Sequence, residues 1–265
     1  MLAFIIPLKS SQVSGSWDLV CKLFERTLKS VCNQTSSEFM VIVVCHEKPN
    51  ITFTHPRVTY VEVDFPLPGA EYVSKEKDKM CKMLAGLIHA QKMNASHVMF
   101  VDADDCVSKH LAAYVSKNID HNGWFINKGY EYREDVGRLK ARRKNFHLRT
   151  NSSHIIKTAL LEPDMNVNFS DVKREDSILY HIDTAKILKE RGTPLQSLPF
   201  RGVVYITDNG ENMWWSQANI SSWVKNFGIK EFVKFYAGKL YQFLVSRKLT
   251  NAIRDEFTLY EIGNA

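Results

Sequence analysis

Phe100-Val101-Asp102-Ala103-Asp104-Asp105 decides the reading of this chain. It closes an apolar run that begins at Val98 and stops on three carboxylates. A short continuous apolar run is the mark of a strand buried on both faces, as in a parallel sheet covered by helices. In such sheets ligands bind beyond the carboxyl ends of the strands. A strand that stops on Asp-x-Asp therefore delivers carboxylates to the ligand rim. Hard divalent cations take oxygen ligands and share them readily with substrate phosphates. Asp102 and Asp104 can converge on one ion only if the chain bends there. The competing reading is a plain turn with helix-capping acids, since Asp is common in both.

The sequence before this segment supports the first reading. Leu2 to Leu8, Phe39 to Cys45 and Val58 to Val63 are further strand-like runs. Trp17, Val20, Cys21, Phe24, Leu28 and Val31 recur at helical spacing, and so do Met80, Met83, Leu84, Leu87 and Ile88. Units of about thirty residues that alternate strand and helix predict a mainly parallel sheet with helices on both faces. The segments after Leu8, Cys45 and Val101 should then share one rim.

The later sequence is less regular. Gly123 to Asn127 and Gly202 to Thr207 read as strands, Ser177 to Glu190 as a helix, and Asp208-Asn209-Gly210-Glu211 as a turn. Tyr130 to Arg149 is polar and basic and reads as a long loop or a hairpin. From Ile220 to Phe257 the chain is aromatic, basic and helical in pattern. Residues 1–218 are thus expected to form the main α/β domain and 219–265 a C-terminal helical extension.

Composition sets the outer bounds. With 265 residues, 45% of them hydrophobic, the chain can fill one large core and disorder is not expected. The net charge of +6 suits anionic ligands or an anionic membrane surface. It is not accompanied by a nucleic-acid-binding motif, so no such partner is expected. The five cysteines form no Cys-x-x-Cys pair, which points to reduced thiols and a cytoplasmic protein. Met1 to Leu8 reads as a core strand and not as a signal peptide. No apolar run approaches the ~20 residues that span a bilayer. The basic, aromatic tail could still lie against the inner face of a membrane, although a helical cap packed on the sheet explains it as well.

With these segments in place, the chain resembles the family-2-type glycosyltransferases of the glycosyltransferase A fold. Phe4-Ile5-Ile6-Pro7-Leu8 looks like the opening strand with its nucleotide-contacting proline, here Pro7. Val41 to Glu47 looks like the second strand and its acidic follower, with Glu47 where Asp is more usual. Asp78-Lys79-Met80-Cys81-Lys82 resembles the helix-opening segment, in which Asp78 would meet the base and Lys82 a phosphate. Asp102-Ala103-Asp104-Asp105 looks like the DxD signature. The resemblance implies a mixed, mainly parallel sheet flanked by helices. It also implies a nucleotide-sugar donor such as a UDP-sugar, and Mn²⁺ or Mg²⁺ held by Asp102 and Asp104. The acceptor would be a glycan or a lipid-linked molecule. It gives Asp176, of the Glu175-Asp176 pair, the role of base toward the acceptor hydroxyl, with inversion at the sugar. It makes Asp208 the third metal ligand, where the family often has His, with Glu211 a neighbour able to serve.

Each assignment has a plainer counterpart. Asp78 and Lys82 form an ordinary i,i+4 ion pair, Asp176 is a helix cap, and Asp208 is a turn residue. The alternatives to transfer are a nucleotidyltransferase acting on sugar phosphates and a non-catalytic nucleotide- or glycan-binding module. The former should show a Gly-rich basic loop after the first strand. Here that stretch is Lys9-Ser10-Ser11-Gln12-Val13-Ser14-Gly15, with little Gly or charge.

Overall fold

Strands without a polar face can only lie in the middle of a covered sheet, and the N-terminal half of the chain is arranged accordingly. The computed structural model describes residues 1–161, 178–211, 237–238 and 244–262. Strands β1 (Leu2–Pro7), β2 (Phe39–Cys45), β3 (Val58–Glu62) and β4 (His97–Phe100) run parallel. Leu2 stands opposite both Phe39 and His97, so β1 is central. Strands β6 (Gly123–Phe125), β9 (His154–Lys157) and β10 (Gln196–Ser197) extend the sheet beyond β4. The order is β10-β6-β9-β4-β1-β2-β3, with β9 antiparallel to both its neighbours. This is the mixed, mainly parallel sheet that was expected.

Alternate side chains of β1 feed two cores. Phe4 and Ile6 pack with Phe24 and Leu28 of α1 (Trp17–Cys32) and with Val115 of α3 (Leu111–Lys117). Ala3 and Ile5 pack with Met83 and Leu87 of α2 (Tyr72–Lys92) and with Leu188 of α4 (His181–Glu190). A Cβ added at Gly86 would lie 2.3 Å from Cγ2 of Ile5. The missing side chain is what lets α2 approach β1 this closely.

After Asp105 the chain leaves the main sheet for a smaller one. It contains β5 (Cys106–Val107), β7 (Gly129–Arg133), β8 (Arg138–Arg142), β11 (Val203–Thr207) and β12 (Arg247–Lys248), in the order β12-β8-β7-β11-β5. The stretch Tyr130 to Arg149, open between loop and hairpin in the sequence, is a hairpin of β7 and β8. It turns at Gly137, whose φ of 60° suits a residue without Cβ. Tyr130, Tyr132 and Leu139 face a third core with Cys106, Ile206 and Phe257.

The described part of the C-terminal segment belongs to this sheet. Arg247 pairs with Leu139, and α5 (Asn251–Phe257) places Phe257 edge-on to Tyr130. The helical expectation for this region therefore holds for α5 and not for Arg247–Lys248. The reason is that β8 offers β12 an open edge to pair with. Trp223, Phe227 and most of the expected helical tail lie outside the described residues, as does Ser177 at the expected start of α4. All five cysteines are free thiols. Among the described residues no helix is long and apolar enough to cross a membrane.

Candidate functional site

A cleft of about 710 Å³ opens at the carboxyl ends of β1 and β4. Its wall includes Pro7 to Lys9, the α2 face carrying Glu76, Asp78, Lys79 and Lys82, the acidic turn, residues 148–151, Tyr180 and His181 at α4, Tyr205, and Gly210 with Glu211. The size lies within the usual range of small-ligand sites.

The acidic turn splits its three carboxylates between two duties. The turn is closed by the Asp105 amide, which donates to the Asp102 carbonyl at 3.0 Å. Asp105 has no exposed surface. Its carboxylate accepts from Thr150 Oγ1 at 2.7 Å and from the Ile206 amide at 2.9 Å, tying the turn to the small sheet. Asp102 and Asp104 line the cleft. Asp102 pairs with Lys79 Nζ at 2.5 Å, while its own amide donates to Ser152 Oγ at 2.8 Å. Asp104 accepts from Asn209 Nδ2 at 2.7 Å. Burial, and next the charge of Asp102, push the Asp104 carboxyl above its usual range. Burial and the same neighbouring carboxylates push Asp105 well above it. Lys79 is shifted up although burial opposes it, because Asp102 and Glu76 hold the ammonium form. Burial and mutual repulsion thus disfavour the charged forms of Asp104 and Asp105, a penalty that a bound cation would relieve.

Pro7 ends β1 in the cleft wall. Asp78 and Lys82 also line it, but the Lys82 ammonium is buried, 2.8 Å from Asp78 Oδ2 and 2.9 Å from the Leu8 carbonyl. It fastens α2 to the end of β1, and the lysine that meets the acidic turn is Lys79. The other Asp78 oxygen lies 3.9 Å from His46 Nε2, which itself contacts the Phe65 carbonyl at 3.0 Å. The helix does not open at Asp78; it begins six residues earlier, at Tyr72.

Glu47 is not part of the cleft wall. It accepts from the Ser10 hydroxyl at 3.0 Å and from the Ser11 amide, and so secures the loop after β1. Burial alone would raise its pKa, but these donors lower it on balance. Asp208 is likewise outside the wall. It has φ of 55°, and its Oδ2 lies 3.3 Å from Arg133 Nε, while the next residue, Asn209, reaches Asp104. Glu211 takes up Lys9 and the amides of Gly15, at 3.3 Å, and Ser16, at 2.6 Å. Among the described residues no three His, Cys, Asp or Glu side chains converge to hold a metal. The expected triad Asp102, Asp104 and Asp208 is therefore not assembled, because the left-handed turn hands Asp208 to the small sheet. Asp102 and Asp104 remain a fit for Mg²⁺ or Mn²⁺, ions that use one or two carboxylates and complete their shell with water and phosphate. Asp176 lies outside the described residues.

Lys79, Asn209 and Tyr205 carry no role of their own in the sequence reading, and Arg149 only its share in the basic stretch Arg138 to Arg149, which reads as a solvated loop or as a contact for an acidic acceptor or the donor diphosphate; all four border the acidic turn or the cleft. Lys79 had one available signal: Glu76, Lys79 and Met83 recur at helical spacing, so they share a face. The other three reach the site only through the pairing of β11 and the fold of residues 148–151.

Solved structures of similar shape exist at low identity. A structure of residues 1–349 of S. aureus TarS shares 15% identity with a TM-score of 0.46, covering 77% of this chain and 60% of that one. A TarS complex with UDP-GlcNAc gives 15% and 0.45, covering 80% and 60%. A protein of Desulfovibrio desulfuricans G20 described as a nucleotide-diphospho-sugar transferase gives 9% and 0.39, covering 86% and 98%. The chain thus spans about 60% of the length of these TarS structures. No protein-family model and no curated protein sequence matches the chain.

Proposed function

We propose that this chain transfers a sugar from a nucleoside-diphosphate sugar, with UDP as the first nucleotide to test, to a hydroxyl of a glycan or lipid-linked acceptor. The observation that carries the reading is the pair Asp102 and Asp104 on one turn, in the wall of a cleft at the carboxyl ends of parallel strands. Pro7 and Asp78 line the same cleft and would receive the nucleoside. A Mn²⁺ or Mg²⁺ ion on Asp102 and Asp104 would supply Lewis-acid stabilisation to a departing diphosphate. Lys79 holds Asp102 in place and adds positive charge where that diphosphate would lie. Asp176 is proposed as the base that takes the acceptor proton, which makes the transfer a single displacement with inversion. Glu47 and Asp208 would act through the loops they hold.

One observation weighs against a nucleotidyltransferase. The amides after β1 that would cradle a phosphate are engaged, Ser11 by Glu47 and Gly15 and Ser16 by Glu211. Thermal shift with UDP and Mn²⁺, followed by UDP release from UDP-sugars, tests the proposal. UDP at about a hundred times its Kd should stabilise the fold by about 2.7 kcal/mol. D104N should lose both that shift and turnover, and D176N should lose turnover while keeping the shift. If no nucleoside diphosphate stabilises the protein in the presence of metal, the reading is wrong.

A further inference from the structure

Glu131 on β7 holds two guanidiniums with one oxygen. Nε of Arg142 lies 2.9 Å and Nε of Arg149 3.1 Å from its Oε1. The carboxylate is buried, whereas the Arg142 and Arg149 side chains keep 31% and 45% of their surface open. Lys140 stands directly opposite Glu131 in the β7–β8 pairing. Burial and then the neighbouring Arg142 lower its pKa, with Arg149 adding to the effect. Two guanidiniums thus share one carboxylate and leave a local surplus of positive charge. Arg149 lies in the wall of the cleft, and its charge is felt at the Tyr205 hydroxyl, which the acidic turn also influences.

Like charges repel, so gathering them costs stability unless an anion joins them. Two guanidiniums are thus held beside a shared carboxylate, Arg149 hydrogen-bonded to it through Nε and Arg142 ion-paired with it, and the guanidinium fork suits phosphate or carboxylate oxygens. Arg143 and Lys144, next in sequence, are merely exposed.

We infer that Arg142 and Arg149, aligned by Glu131, form a second anion subsite at the edge of the cleft, and that the acceptor carries a phosphate or carboxylate group that docks there. This deepens the transfer reading and rests on it. The same chemistry could come from the donor's diphosphate. The acceptor is favoured because Asp102, Asp104 and Lys79 already provide a place for the diphosphate on separate elements, β4's turn and α2.

Phosphorus NMR of inorganic phosphate titrated with the full chain, with and without saturating UDP, tests the inference. Phosphate binding should persist in UDP-saturated protein. It should weaken about tenfold or more in R142Q/R149Q, as expected for loss of charge-assisted hydrogen bonds. R143Q/K144Q removes the same formal charge and should leave it unchanged. R149Q alone keeps Arg142 on Glu131 and should give a smaller loss, which covers the case in which the double variant does not fold. Unchanged phosphate affinity in R142Q/R149Q, or in R149Q where the double variant does not fold, overturns the subsite. So does equal weakening in R143Q/K144Q, which would mean general attraction. Displacement of phosphate by UDP assigns the arginines to the donor and overturns the acceptor inference. UDP binding is read in the same samples. Its absence would strike the proposed function, while the response of R142Q/R149Q in UDP-free protein would still decide the anion subsite.

Discussion

Lys79 and Lys82 are neighbours on α2 with opposite consequences for mutation. Lys82 is buried and bridges Asp78 to the Leu8 carbonyl. Removing one partner of a buried pair leaves the other charge uncompensated, at a cost of about 3–5 kcal/mol. K82M should therefore lower stability on that scale in urea melts, and D78N/K82M should recover part of it. A variant that melts like the wild type but loses only UDP affinity would return Lys82 to the phosphate role that the resemblance implies. His154 gives a pH signature. Burial, reinforced by His147 and His181, depresses its pKa to about 3, against 6.5 when unperturbed. Its neutral form is favoured in the fold, so its contribution is complete above pH 6.5 and declines as pH falls toward 3. The slope is at most about 1.4 kcal/mol per pH unit. Denaturation at pH 5 should show about 2 kcal/mol less stability than at pH 7 from this group, and H154Q should flatten that difference.

At the scale of elements, the placing of α2 governs the cleft, since Asp78, Lys79 and Lys82 all stand on it. G86A pushes a methyl group against Ile5. Overpacking of this kind costs about 1–3 kcal/mol. Calorimetry should show weaker UDP binding as well, because the helix that carries Lys79 must shift. Unchanged UDP affinity in a destabilised G86A protein would mean that the cleft tolerates that movement. The four parallel strands and the helices α1 and α2 are legible in the sequence because their apolar periodicity is dictated by burial. The β7–β8 hairpin is legible only as one of two readings. Its inward residues alternate as they should, but Arg138, Lys140 and Arg142 fill the other face and make the stretch resemble a solvated loop.

For the molecule as a whole, the C-terminal segment closes the smaller sheet. Phe257 is fully buried against Tyr130, and Arg26 of α1 reaches both Glu134, at 2.8 Å, and the Tyr260 carbonyl, at 2.9 Å. These contacts join α1, the β7–β8 turn and the chain end. F257A should cost about 3–5 kcal/mol, and because Asp105 is tied to β11 the loss should extend to UDP binding. A thermal melt paired with UDP titration checks both. A destabilised variant with intact UDP affinity would show the acidic turn to be independent of the small sheet's core.

The sequence by itself determined the four parallel strands of the main sheet and the rim to which Asp102 and Asp104 are delivered, since apolar runs and their order leave few other arrangements. Tertiary structure alone decided which of the acids and lysines face the cleft. Asp105 turns inward, Glu47 and Glu211 take up backbone amides, Asp208 meets Arg133, and Lys79 rather than Lys82 meets the acidic turn. Those choices depend on which donors the distant strands and loops bring within hydrogen-bond reach, and no local spacing encodes that.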